Sequence, residues 1–106
     1  MAFSIKQNDT SPSLQATLKD STLTPISLNG ATVQFHMKSL DGVVKVDETM
    51  TIVDSDNGII RYDWQTGDTD TVGTYNVEFQ VTYYDTTIET FPNNGNKVVT
   101  VVKELN

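Results

Sequence analysis

Every second position from Tyr75 to Tyr83 is large and apolar: Tyr75, Val77, Phe79, Val81 and Tyr83 alternate with Asn76, Glu78, Gln80 and Thr82. Successive side chains of a strand point to opposite faces, so this stretch predicts one apolar face and one wet face. A 3.6-residue period would scatter the same five residues around a helix. Tyr84 to Thr87 interrupts the alternation and Thr87 to Phe91 resumes it, which predicts a hairpin with a short turn. The same two-residue period recurs along the chain. Phe3 and Ile5 alternate, then Leu14, Ala16 and Leu18, and Ile26 and Leu28 are spaced by two before Asn29-Gly30. Val33, Phe35 and Met37 point one way from a second clear strand, Thr32 to Lys38. Val43 to Val46 is a short β-branched run, and Glu48 to Val53 continues it with Met50 and Ile52 in phase. Ile60, Tyr62 and Trp64 share a face within Ile59 to Trp64. Pro92 to Asn96 is expected to turn the chain into a last strand, Lys97 to Lys103.

Turn chemistry separates these runs: Asn29-Gly30, Asp41-Gly42, Asp54 to Gly58 and the polar stretch Gln65 to Val72. No segment carries a helical period. Strands about every ten residues predict an all-β fold, a sandwich or a small barrel. The length, 106 residues, is that of one domain, expected to span 1–106 without a second unit. Tyr75 follows Gly73 by two residues and Asp70 by five. This is one position away from the aspartate-x-glycine-x-tyrosine arrangement of a tyrosine corner, and predicts a related corner in which the hydroxyl bonds nearby backbone.

Composition removes several kinds of chemistry. There is no cysteine, so no disulfide framework, thiolate nucleophile or cysteine zinc site is expected. Seven basic and 14 acidic residues give a formal net charge of −7, which disfavours nucleic acid as a partner. No apolar run approaches the roughly 20 residues that span a bilayer, and no charged-then-apolar leader begins the chain. The expectation is a soluble protein with no membrane partner and no cleaved signal. His36 is the only histidine and sits on the polar face with Gln34 and Lys38, without the partners a metal centre or triad needs. Asp54, Asp56 and Asn57 before Gly58 resemble the start of a calcium loop, but glycine already occupies the position where a further oxygen ligand belongs, so a tight β-turn is expected. Asp68 and Asp70 read as solvated turn residues, and Trp64 as core rather than a ligand platform. No glycine-rich phosphate loop or nucleophile elbow occurs. No cofactor, metal or catalytic residue is expected, and the chain is read as not an enzyme.

The last strand carries the one binding signal of the pattern. Val98, Val99, Val101 and Val102 make both of its faces apolar. One face is expected to enter the core; the other is covered either by loops of the same chain or by a neighbouring subunit. An open edge there would invite pairing, with Lys97 and Lys103 as charge guards.

Several phrases in order resemble a known family. They are Phe3-Ser-Ile-Lys-Gln-Asn-Asp-Thr-Ser-Pro-Ser-Leu14, Ile26-Ser-Leu-Asn-Gly-Ala-Thr-Val-Gln-Phe-His-Met-Lys38, Gly58-Ile-Ile-Arg-Tyr-Asp-Trp64, Gly73-Thr-Tyr-Asn-Val-Glu-Phe-Gln-Val81 and Glu89-Thr-Phe-Pro-Asn93. Together they resemble the N-terminal domain of tailed-phage baseplate upper proteins. The resemblance implies an immunoglobulin-like antiparallel β-sandwich of about seven or eight strands, carried in a phage virion after synthesis in the host cytoplasm. It implies a structural protein, a tail or baseplate adaptor that docks onto other phage structural proteins, itself or its neighbours forming the contact as a homo-oligomer or a mixed assembly. No stalk or receptor-binding head follows Asn106, so a free-standing accessory domain is expected, with a head decoration or head-to-tail completion protein as the alternative. A carbohydrate- or host-surface-binding module is the alternative of another class; exposed Trp64, Tyr84 or Phe91 in one groove would favour it. Candidate protein contacts are Asn8, Asp9 and Pro12 in the first turn, Phe91, Pro92 and Asn93 in the last, and Val99 and Val101 on the final strand.

Overall fold

The computed structural model describes residues 2–92 and 97–105. Nine strands form two sheets: β1 Ala2–Lys6, β2 Leu14–Thr17, β3 Thr32–Ser39, β4 Val44–Thr49, β5 Thr51–Asp54, β6 Ile59–Tyr62, β7 Gly73–Thr82, β8 Ile88–Phe91 and β9 Lys97–Val102. The larger sheet runs β1-β9-β7-β3-β4, with β8 also on β7; the smaller runs β2-β6-β5. This is the immunoglobulin-like sandwich, with two more strands than its seven-stranded form. Every pairing is antiparallel except one. β1 lies parallel to β9, from Ala2 opposite Val98 to Lys6 opposite Val102.

The alternating residues build the core. β3 and β7 pair in register over eight positions, placing Phe35 opposite Phe79, Val33 opposite Val81 and Met37 opposite Val77 on the inward face. All six are fully buried or nearly so. From the facing sheet come Leu14, Ala16, Ile60 and Tyr62, with Leu18 and Trp64 just beyond the strand ends. The Phe35 ring meets Phe79 at 5.8 Å and Tyr62 at 4.8 Å, and Trp64 meets Phe35 and Tyr62 edge-on. Offset and edge-to-face contacts of this kind add to the burial of the rings themselves.

Two elements depart from the two-residue reading. Ile26 and Leu28 form no strand; Leu28 is buried by a loop whose Leu28 N–H donates to Ser55 O at 2.7 Å. The run from Val43 to Val53 is two strands in different sheets. The chain crosses at Met50, which is buried and whose N–H donates to Val33 O at 2.8 Å. The turn expected from Pro92 to Asn96 lies, after Pro92, outside the described residues; β8 and β9 on either side of it both run antiparallel to β7. Phe91 stands opposite Phe79 and Lys97 opposite Val77.

Candidate functional site

The candidate contacts fall into two places. β1 and β9 end together at Lys6 and Val102, and the first turn leaves the sandwich there. Gln7 N–H donates to Val102 O at 2.7 Å, Asn8 N–H to Thr69 O at 2.9 Å, and the Thr69 hydroxyl to Asp9 O at 2.8 Å. Gln7 Nε2 reaches Asp70 O, and Asn8 Nδ2 reaches Glu104. Asn8 adopts φ +69°, a conformation asparagine tolerates better than most residues. Asn8, Asp9 and Pro12 are exposed, so the turn is a braced surface feature. Thr69 is the one buried polar residue among the described residues, and nothing in the pattern of Gln65 to Val72 marked it out. Its role is readable only once the first turn lies against it.

Phe91 and Pro92 lie at the other end of β9, about 17 Å of strand away. The structure therefore does not bring the two segments together. Phe91 is buried against Phe79, and Pro92 is half-buried beside a cavity of about 210 Å³ with Leu18, Leu23 and Lys19 in its lining. Asn93 lies outside the described residues. Both Ser11-Pro12 and Phe91-Pro92 peptide bonds are cis.

Val99 and Val101 require a correction as contact residues. Both point into the core, at 0% and 1% exposure, because they face Tyr75 and Gly73 on the inward side of β7. The side of β9 left for a neighbour carries Val98, Thr100 and Val102. Nor is β9 an open edge: β1 covers it on one side and β7 on the other.

The residues weighed for chemistry each find separate structural partners. Tyr75 Oη donates to Thr71 O at 2.6 Å, the expected corner at the start of β7. Asp68 accepts from Tyr62 Oη at 2.5 Å and from Gln65 N–H at 2.8 Å. Burial, and then this carboxylate, push the Tyr62 phenol well above the usual tyrosine range. Asp70 turns instead to Lys45 and to the Thr71 hydroxyl; the lysine contact, with the threonine second, holds its pKa below the usual carboxylate range. His36 stands across β3 from Asp47 on one neighbour and Glu78 on the other, with Nε2 3.7 Å from Asp47 Oδ1. It does not meet Asp68 or Asp70. Asp54 caps Asn57, while Asp56 accepts from Asn29, so the acidic turn ties two loops together. Among the described residues no group of three or more His, Cys, Asp or Glu side chains is placed to hold a metal ion. Trp64 and Phe91 are buried and Tyr84 stands exposed at the β7–β8 turn, so the three share no groove.

A polar cleft of about 320 Å³ lies where the chain crosses between the sheets, between Glu48 and Thr49 of β4 and Arg61 and Asp63. Arg61 Nε donates to Asp63 Oδ1 at 3.0 Å. Among the described residues the Glu48 side chain makes no hydrogen bond or ion pair, though its charge helps to raise the Tyr62 phenol. Among the described residues no helix is long and apolar enough to cross a membrane.

Comparison with known proteins follows the same architecture. Among solved structures, the crystal structure of CopC from Methylosinus trichosporium OB3b is similar over 98% of this chain and 86% of that one, with a TM-score of 0.56 and 14% sequence identity. At that identity the likeness concerns the fold alone. No curated protein matches the chain in sequence. A family model, the BppU N-terminal domain, matches residues 2–101, taking in both sheets and all but the last residue of β9. On that match, the chain belongs to the BppU N-terminal domain family, a structural component of phage baseplate upper proteins.

Proposed function

We propose that this chain is a docking domain of the phage baseplate, holding its position by fitting against other virion proteins rather than by catalysis. The observation that carries the reading is the family match over residues 2–101. The side-chain chemistry agrees with it. The polar residues Asp68, Asp70, Thr69 and Tyr75 all brace loops of the sandwich itself. A sandwich whose loops are braced in this way presents a preorganised surface, which lowers the ordering cost of assembly.

The chain then acts in the assembled tail, with neighbouring structural proteins as partners. The first turn, Asn8 to Pro12, and the outward side of β9 are the surfaces proposed to meet them. Purification of tails separated from heads, followed by protein identification, tests the location. The chain is expected in the tail fraction at a fixed ratio to other baseplate proteins. Its recovery with heads alone would overturn the baseplate reading and favour a decoration or completion role.

A further inference from the structure

We infer that the open edge of β4 is a strand-addition site for an extended segment of a neighbouring virion protein, apolar at one end and basic at the other. The inference rests on the docking reading and adds a contact surface to the first turn and the outward side of β9.

β4 ends the order of the larger sheet, and no strand covers its outer side among the described residues. An edge strand presents unpaired N–H and C=O groups, and proteins commonly protect it with a charged side chain, above all lysine. The single lysine of β4 does not serve that purpose. A register shift between Met37 and Lys38 makes Lys45 the extra residue of the strand. Its side chain turns to Asp70 in the loop before β7, where it is mostly covered. Bulges redirect a side chain in this way. The cation is thus tied down, while Asp47, held by Gln34, and Glu48, whose side chain makes no hydrogen bond or ion pair among the described residues, stay exposed further along.

The start of the same strand is apolar. Leu40, Val43 and Val44 are 70%, 63% and 54% exposed, side by side at the β3–β4 turn. Exposed aliphatic residues gathered on one surface mark contact sites more often than scattered ones do. The edge therefore reads apolar at Val43 and Val44, then acidic at Asp47 and Glu48, and it borders the polar cleft lined by Glu48 and Arg61. In strand addition the main chain supplies affinity and alternate side chains supply specificity. Charge complementarity selects a lysine- or arginine-bearing segment. A second copy of this chain would bring the same acidic strand and another net charge of −7.

The test uses the whole chain, isotope-labelled, and a ten-residue synthetic peptide alternating valine with threonine in one half and lysine with threonine in the other. A control peptide carries glutamate in place of lysine. Amide resonances of residues 43–49 are expected to shift with the lysine peptide and not with the control. Glu48→Lys, an exposed substitution that leaves the core intact, is expected to weaken the lysine peptide about tenfold and to admit the glutamate peptide. Shifts centred elsewhere, equal response to both peptides, absence of any shift, or a peptide-independent dimer through β4 would each overturn the inference. None of these would remove the chain from the tail fraction, so the docking reading stands or falls separately.

Discussion

An alanine at position 58 would carry its methyl group to 2.7 Å from Leu18 O and 2.8 Å from Ile26 O, both backbone atoms. Gly58 also adopts φ +66°, where a side chain is strained in any case. Gly58→Ala is therefore expected to cost at least about 1–3 kcal/mol, read as a lower midpoint in urea unfolding. Tyr75→Phe removes only the hydroxyl that reaches Thr71 O and is expected to cost about 1 kcal/mol, or about 4–8 °C in Tm. The pH response divides in two. The carboxyls of Asp20, Asp41, Asp70 and Asp85 are held below their usual value of 3.8, chiefly by Thr22, Ser39, Lys45 and Thr87 respectively. A lowered folded value means stability that is present above about pH 4 and lost as the pH falls further. Burial and then Glu89 push Tyr83 up to about 12, and Tyr62 is raised as well. Raised phenols contribute stability that is complete below pH 10 and lost as pH climbs through the folded value. Ultraviolet titration is expected to show two tyrosines ionising late, and urea midpoints to fall at both extremes of pH.

At the scale of the element, β9 shows what alternation reveals and what it leaves open. Val99 and Val101 are core residues and Val102 is 40% exposed, yet all are valine, so composition did not tell the faces apart. The parallel partner β1 settles which side is the edge, and pairing between residues 96 apart in the chain leaves no local trace. Val99→Ala is expected to cost roughly 2 kcal/mol, and Val102→Ser to stay within about 0.5 kcal/mol, by the same urea measurement. β3, β6 and β7 were legible because large apolar residues strictly alternate with polar ones there. The crossing at Met50 was not, since a strand that changes sheets keeps its apolar phase. Of the contact residues, Asn8, Asp9 and Pro12 were readable as surface turn. The Thr69 lock beneath them was not, because it joins residues 60 apart in the chain.

For the whole molecule, shape and charge point the same way. Two sheets share one aromatic and aliphatic interior, and the acidic residues that engage partners do so within the sandwich. What the outside has to offer is therefore edges and loops, which suits assembly. Reconstruction of the phage particle by electron cryomicroscopy tests this most directly. The account predicts the nine-stranded sandwich in the baseplate, seated against other virion proteins. Density for it on the capsid, or its absence from the particle altogether, would contradict the account.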